Sequence, residues 1–145
     1  MNIMQYITIE EVQRVCSELG IRDWSSISEA RVPMGEAEKI LARVNVKAMP
    51  ISPDVFRQGL EVELEHGTRF QDANVTNNHP LLTGMIVLAH LKESMEYYER
   101  LEVAEVEGDL LKAISGGDPD KIRKKYRQLI DARRALVEAE IKQIA

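Results

Sequence analysis

The chain has 145 residues, 44% of them hydrophobic and 30% charged, with a formal net charge of -5. That length predicts one domain with a real core, and the composition is that of a soluble globular protein. The acidic balance argues against a general nucleic-acid binder, and Cys16, the only cysteine, excludes both an intrachain disulfide and a cysteine-rich zinc site.

Residues 1–6 lack a basic region followed by a long apolar run, and the longest apolar stretch, residues 85–89, is far short of a membrane span. A cytoplasmic protein is therefore expected, with neither membrane nor nucleic acid as partner. Thr8 followed by Glu11 fits a capping box and Gly20 fits a helix stop, so residues 8–19 predict a helix with Val12, Val15, Cys16 and Leu19 on its apolar stripe. Residues 25–30 predict a short turn of helix. Residues 34–46 predict another helix, with Ala37, Ile40, Leu41 and Val44 at helical spacing.

Pro50 and Pro53 break the chain, and Ser52 then Pro53 make a good N-cap and first helical residue. This helix is expected to run to His66 and stop at Gly67. A polar loop, 68–78, leads to His79-Pro80 and a long helix expected to reach Ile114. Ser115-Gly116-Gly117 is the clearest break, and Asp118-Pro119 opens a last helix reaching residue 144.

The long helix carries Glu96, Glu99, Glu102, Glu105 and Glu107, and the last carries Lys121, Arg123, Lys124, Lys125, Arg127, Arg133 and Arg134. Folding back at the glycines would set these surfaces together as an antiparallel hairpin. Ile122, Tyr126, Leu129, Leu136, Ile141 and Ile144 form a stripe wide enough to pack on a partner chain as well. Self-association through the C-terminal helices, as a homodimer, is expected.

Two His/Glu doublets are the candidate site. Glu63 and His66 lie three residues apart on one predicted helix, and His90 and Glu93 on the next, so each pair projects from one side. At about 100° per residue, Glu63 and His66 fall at the edge of the Phe56, Leu60, Leu64 face, while Glu61 and Glu65 face water. His90 falls near the centre of an arc made by Ile86, Val87, Leu91, Tyr97 and Leu101, with Glu93 at its border and Lys92, Glu96, Glu99 and Arg100 opposite. Residues 81–89 are apolar nearly all round and are expected to be the most buried part of the protein.

Buried carboxylates and imidazoles need partners. Three readings meet that demand: a structural hydrogen-bond network, a divalent transition metal (zinc, iron or manganese) held by Glu63, His66, His90 and Glu93, or acid/base chemistry without metal. Tyr97 and Tyr98 stand on or beside the same arc as outer contacts. The ferritin-like diiron pattern needs two Glu-x-x-His motifs and two further glutamates. Only Glu63 to His66 reads in that direction, which argues against a full diiron site in one chain.

Asp72, Asn74, Thr76 and Asn78 alternate like the opening of a calcium loop, but Asn77 and Thr83 stand where the motif needs Gly and Glu. Turn-forming and capping roles fit this loop better. There is no phosphate-binding glycine loop and no nucleophile elbow.

The order Phe56-Arg57-Gln58-Gly59-Leu60-Glu61-Val62-Glu63-Leu64-Glu65-His66-Gly67, then Asn74-Val75-Thr76, then Ala89-His90-Leu91-Lys92-Glu93 and Tyr97-Tyr98 resembles a family of small bacterial and phage proteins catalogued as a domain of unknown function. The resemblance covers roughly residues 56–102, leaves out residues 34–46 and the tail after Gly116, and implies no activity, substrate or cofactor. The expected fold is all-α: a single-domain helical bundle with N-terminal helices over residues 1–50, a core over 53–114 and a C-terminal helix over 118–145 that closes a long-helix antiparallel hairpin. The expected function is that of a non-enzymatic interaction or structural protein, with metal binding at the doublets as the alternative.

Overall fold

A computed structural model describes residues 6–145; of the 1–6 segment considered for a leader, residues 1–5 lie outside them. The described residues form six α-helices and no strand, so the fold is all-α. By its contacts the chain divides into two units, residues 1–90 and 91–145.

In the first unit α1 spans Ile9–Leu19, α2 Met34–Val44, α3 Pro53–Arg69 and α4 Pro80–Glu93, whose last three residues belong to the second unit. The caps act as the sequence suggests. Thr8 accepts a hydrogen bond from the Glu11 N–H, Ser52 accepts one from Val55, and Gly20 ends α1 at φ 64°. The predicted turn at 25–30 is a single 3-10 turn, Trp24–Ser26, capped by Asp23. Val12, Trp24, Ala37, Ile40, Phe56, Leu60 and Val87 are wholly buried, and α2 packs on α3. Each such aliphatic or aromatic side chain contributes about 1.5–3 kcal/mol by leaving water.

Two glycines set how closely the elements approach. A Cβ on Gly84 would lie 2.8 Å from Ile40 Cγ2 and 3.2 Å from Phe56 Cζ, so α4 crosses α2 and α3 at a distance only glycine permits. Gly67 was expected to end α3, but the helix continues through it to Arg69. Its role is spatial: a Cβ there would stand 2.2 Å from Asn78 Oδ1 and 2.9 Å from Asn74 Nδ2. The loop after α3 folds back on that bare stretch of helix.

Residues 81–89 are not the most buried part of the protein. Met85 and Ile86 are 58% and 39% exposed, and the fully buried side chains come mainly from α1, Trp24, α2 and α3. The stretch is apolar all round, but only the side bearing Thr83, Gly84, Val87 and Leu88 is covered.

In the second unit α5 spans Tyr97–Gly116 and α6 Pro119–Ile144. The expected single helix from Pro80 is thus broken at Ser94-Met95-Glu96, where the Tyr97 N–H bonds to the Ser94 carbonyl at 3.1 Å. Glu96, expected on the outward side, is 9% exposed. It accepts hydrogen bonds from Arg100 (Nε, 3.0 Å) and from Gln143 of α6.

The hairpin turns on Gly117, at φ 72°, whose N–H reaches the Ala113 and Ile114 carbonyls. Asp118 then caps α6 through the Asp120 and Lys121 N–H groups. Helices α5 and α6 pack closely, burying Val106, Leu129 and Ala132. The expected Glu-to-Lys/Arg facing is realised in altered form. Lys125 pairs with Asp109 at 3.0 Å, and Arg100 of α5 lies 3.9 Å from Glu140 of α6, with the signs reversed.

Candidate functional site

Of the four doublet residues, Glu63 and His90 meet. His90 Nε2 lies 3.3 Å from Glu63 Oε1, with the two side chains 27% and 15% exposed. Residues Phe56, Leu60 and Leu64 turn α3 toward the core, leaving Glu63 at the edge of that face, where α4 brings His90 alongside. His66 and Glu93, expected to turn inward, are exposed. His66 stands one turn beyond Glu63, past the apolar edge of α3, and Glu93 is the last residue of α4. Among the described residues no group of three or more His, Cys, Asp or Glu side chains is placed to hold a metal ion.

Angles carried through the break at Ser94 do not hold, so Tyr97 and Leu101 share no continuous helix face with His90. Tyr97 and Tyr98 are half-buried and stack edge to face, with ring centroids 5.1 Å apart. Glu61, expected in water, is half-buried; it holds Arg57 at 2.5 Å and accepts from the Val32 N–H at 3.4 Å.

A cleft of about 380 Å³ opens beside the Glu63 and His66 side of α3. Glu63 and His66 form one wall, Asn74 and Asn78 the other, and Phe70, Val75 and Ile86 are among its apolar lining. The asparagines are structural. Asn74 Nδ2 donates to Asn78 Oδ1 at 3.1 Å, and Asn78 Nδ2 donates to the Trp24 carbonyl at 3.2 Å. Asn77 Nδ2 reaches the Ile7 carbonyl at 2.6 Å, and Asn77 and Asn78 both take positive φ (48° and 60°). The alternating polar loop thus serves its own turns and ties the N-terminal segment to α3. His79 caps α4, its Nδ1 accepting the Leu82 N–H at 3.3 Å. Burial holds the imidazole below its ordinary value, with Glu11 opposing; an accepting Nδ1 requires the neutral ring.

A polar knot on α2 is not foreseen from the sequence. Glu36 is 8% exposed and accepts from Arg22 Nε at 2.9 Å, the Arg22 N–H at 3.0 Å and Trp24 Nε1 at 2.9 Å. Burial pushes its carboxyl up, but the Arg22 and Trp24 hydrogen bonds outweigh this and hold it below the ordinary carboxylate range. A lone glutamate on the apolar side of α2, with Ala37 and Ile40, was the available signal.

The second unit offers a different feature. Tyr126, Ile130, Val137, Ile141 and Ile144 of α6 are 52%, 42%, 53%, 54% and 86% exposed. At about 100° per residue they fall within an arc of roughly 60°. The buried side, with Leu129 and Ala132, lies on a separate arc of the helix. α6 therefore carries two apolar stripes, one packed on α5 and one open.

The described residues thus form an all-α protein with a half-buried His–Glu pair in one unit and an open apolar helical face in the other. The family described as Protein of unknown function (DUF5661) matches residues 12–107, and the chain belongs to that family. The match takes in residues 34–46, which the resemblance read from the sequence left out, and ends before the C-terminal tail. None of the curated proteins and none of the solved structures matches the chain. No helix of the described residues is long and apolar enough to cross a membrane.

Proposed function

We propose that this is a non-enzymatic helical interaction protein of the cytoplasm that self-associates as a homodimer through its C-terminal helices. The observation that carries the reading is the second apolar stripe on α6. Five large apolar side chains on one narrow arc of a 26-residue helix are 42% or more exposed. Contiguous apolar surface of that kind marks interaction sites. The stripe lies beyond the family-matched residues, so the contact is a feature of this chain's C-terminal hairpin. Replacing Val137 and Ile141 with Lys tests it. The doubly substituted chain should keep its helical circular dichroism and elute later than the unmodified chain in size exclusion. Identical elution of the two at high concentration would sink the reading.

A second reading rests on the Glu63–His90 pair and on His66 lining the same cleft as Glu63. A divalent transition metal could take an imidazole and a carboxylate there, with His66 turning in as a further ligand. Protein prepared without a His tag would then carry stoichiometric zinc, iron or manganese, lost in the His66→Ala/His90→Ala variant. Metal-free, folded protein that takes up none of the three would end this reading.

A further inference from the structure

The residues flanking the open α6 stripe have a pattern of their own. At about 100° per residue Arg134 and Glu138 fall on one flank of the stripe, and Arg133 and Glu140 on the other. Arg133, Arg134 and Glu138 are exposed, and the Glu140 side chain is 46% exposed. Close to Leu136 each flank thus carries one positive and one negative charge, four to seven residues apart, and Arg127, exposed nearer the helix start, adds a further positive charge to the Arg134 flank.

We infer that the occupant of this face is a second copy of the same chain, its α6 antiparallel to the first, with the two-fold axis beside Leu136. The inference rests on the self-association proposed above and fixes its geometry. In an antiparallel pair, residues equidistant from the axis in opposite directions face each other, and each flank meets the same flank of the other helix. An axis beside Leu136 sets Tyr126 near the partner's Ile144 and Ile130 near the partner's Ile141, each to within about two residues, or about 3 Å, of exact register, with Val137 close to the axis. All five open apolar side chains are then covered. The same register sets Arg134 against the partner's Glu138 on one flank and Arg133 against the partner's Glu140 on the other. Each pair occurs twice by symmetry.

A parallel pairing covers the same stripe but makes each flank meet the opposite one. Arg133 then stands level with the partner's Arg134 and reaches the partner's Glu138 about one turn on, while Arg134 and Glu140 meet no opposite charge. The antiparallel pairing matches all four flank charges close to Leu136 with opposite ones, and this favours that direction.

Charge reversal and cysteine pairing test this on the full chain. Arg134→Glu should weaken dimerisation about tenfold or more, Glu138→Arg should do the same, and the double reversal should restore it. Chains bearing Tyr126→Cys, mixed with chains bearing Ile144→Cys, should form a disulfide-linked heterodimer under mild oxidation, while neither variant alone links to itself. The native Cys16 is 1% exposed and does not compete. Self-linkage of the Tyr126→Cys chain overturns the antiparallel register while leaving self-association standing. A dimer insensitive to both reversals that forms no α6 cross-link overturns the inference and moves the contact elsewhere. A monomer at about 100 µM, a concentration at which micromolar dimers are nearly complete, overturns the self-association reading and this inference together.

Discussion

The Trp24 indole N–H donates to Glu36 Oε2 at 2.9 Å, while Arg22 Nε holds Oε1 of the same carboxylate at 2.9 Å. One glutamate of α2 thereby fixes the connection from α1, including its 3-10 turn. Glu36→Ala leaves the wholly buried indole N–H without its acceptor and Arg22 without its counter-charge. The expected cost is about 2–3 kcal/mol, the range for losing hydrogen bonds to a charged group. A urea titration followed by fluorescence, Trp24 being the only tryptophan, measures it; a loss under about half a kcal/mol would show that the knot contributes little.

Gly67 and Gly35 make a matched pair. Both are helical, but a Cβ on Gly67 would sit 2.2 Å from Asn78 Oδ1, whereas one on Gly35 meets nothing within 4 Å. Asn78 cannot swing away cheaply, because its side chain also holds the Trp24 carbonyl and its backbone is at φ 60°. Gly67→Ala should therefore destabilise by about 1–3 kcal/mol through overpacking. Gly35→Ala should stabilise by about 0.5–1 kcal/mol through helix propensity. Equal effects from the two substitutions would remove the spatial role assigned to Gly67.

Acid should act on the first unit through His79. Burial lowers its folded pKa below the ordinary 6.5, so the unfolded chain binds the proton first as pH falls. Its contribution to stability is complete above pH 6.5 and is lost progressively as pH drops through the folded value. Urea midpoints should fall between pH 7.5 and about 5.5, and His79→Asn, which keeps a cap at that position, should flatten the dependence. An unchanged slope in His79→Asn would assign the effect elsewhere.

Glu96 governs the second unit in a lower window. The hydrogen bonds from Gln143 and then Arg100 pull its carboxyl down to about 2 from 4.5. The stability it contributes is present above pH 4.5 and is lost as pH falls toward 2. Protection factors of the α5 and α6 amides, which divide out the intrinsic slowing of exchange in acid, should fall across that window, and Glu96→Gln should remove the fall. Persistence of the same fall in Glu96→Gln would contradict the assignment.

The parts of this fold legible in the sequence are those specified locally. Thr8, Ser52 and Asp118 cap the helices they precede, and Gly20 and Gly117 turn where a positive φ is needed. The all-α class and the C-terminal hairpin follow from these signals. Gly67 was misread because a glycine that ends a helix and one that lets a loop approach look alike in sequence. The break at Ser94 carries neither Pro nor Gly, and the partner of the buried Glu96 beside it, Gln143, is remote in the chain. Helix angles brought Glu63 and His90 together correctly. They misplaced His66 because an angle gives a direction around α3, while its neighbours decide how wide an arc is covered. The Glu36 knot was out of reach, since its partners lie on an irregular connection where spacing has no period.

Sedimentation equilibrium of the unmodified chain over a wide concentration range tests the central claim, self-association through α6, most directly. The account predicts a weight-average mass rising from the 16.5 kDa of one chain to twice that value and levelling there, as a closed two-fold dimer must. A mass that stays at that of a single chain at every concentration would contradict it.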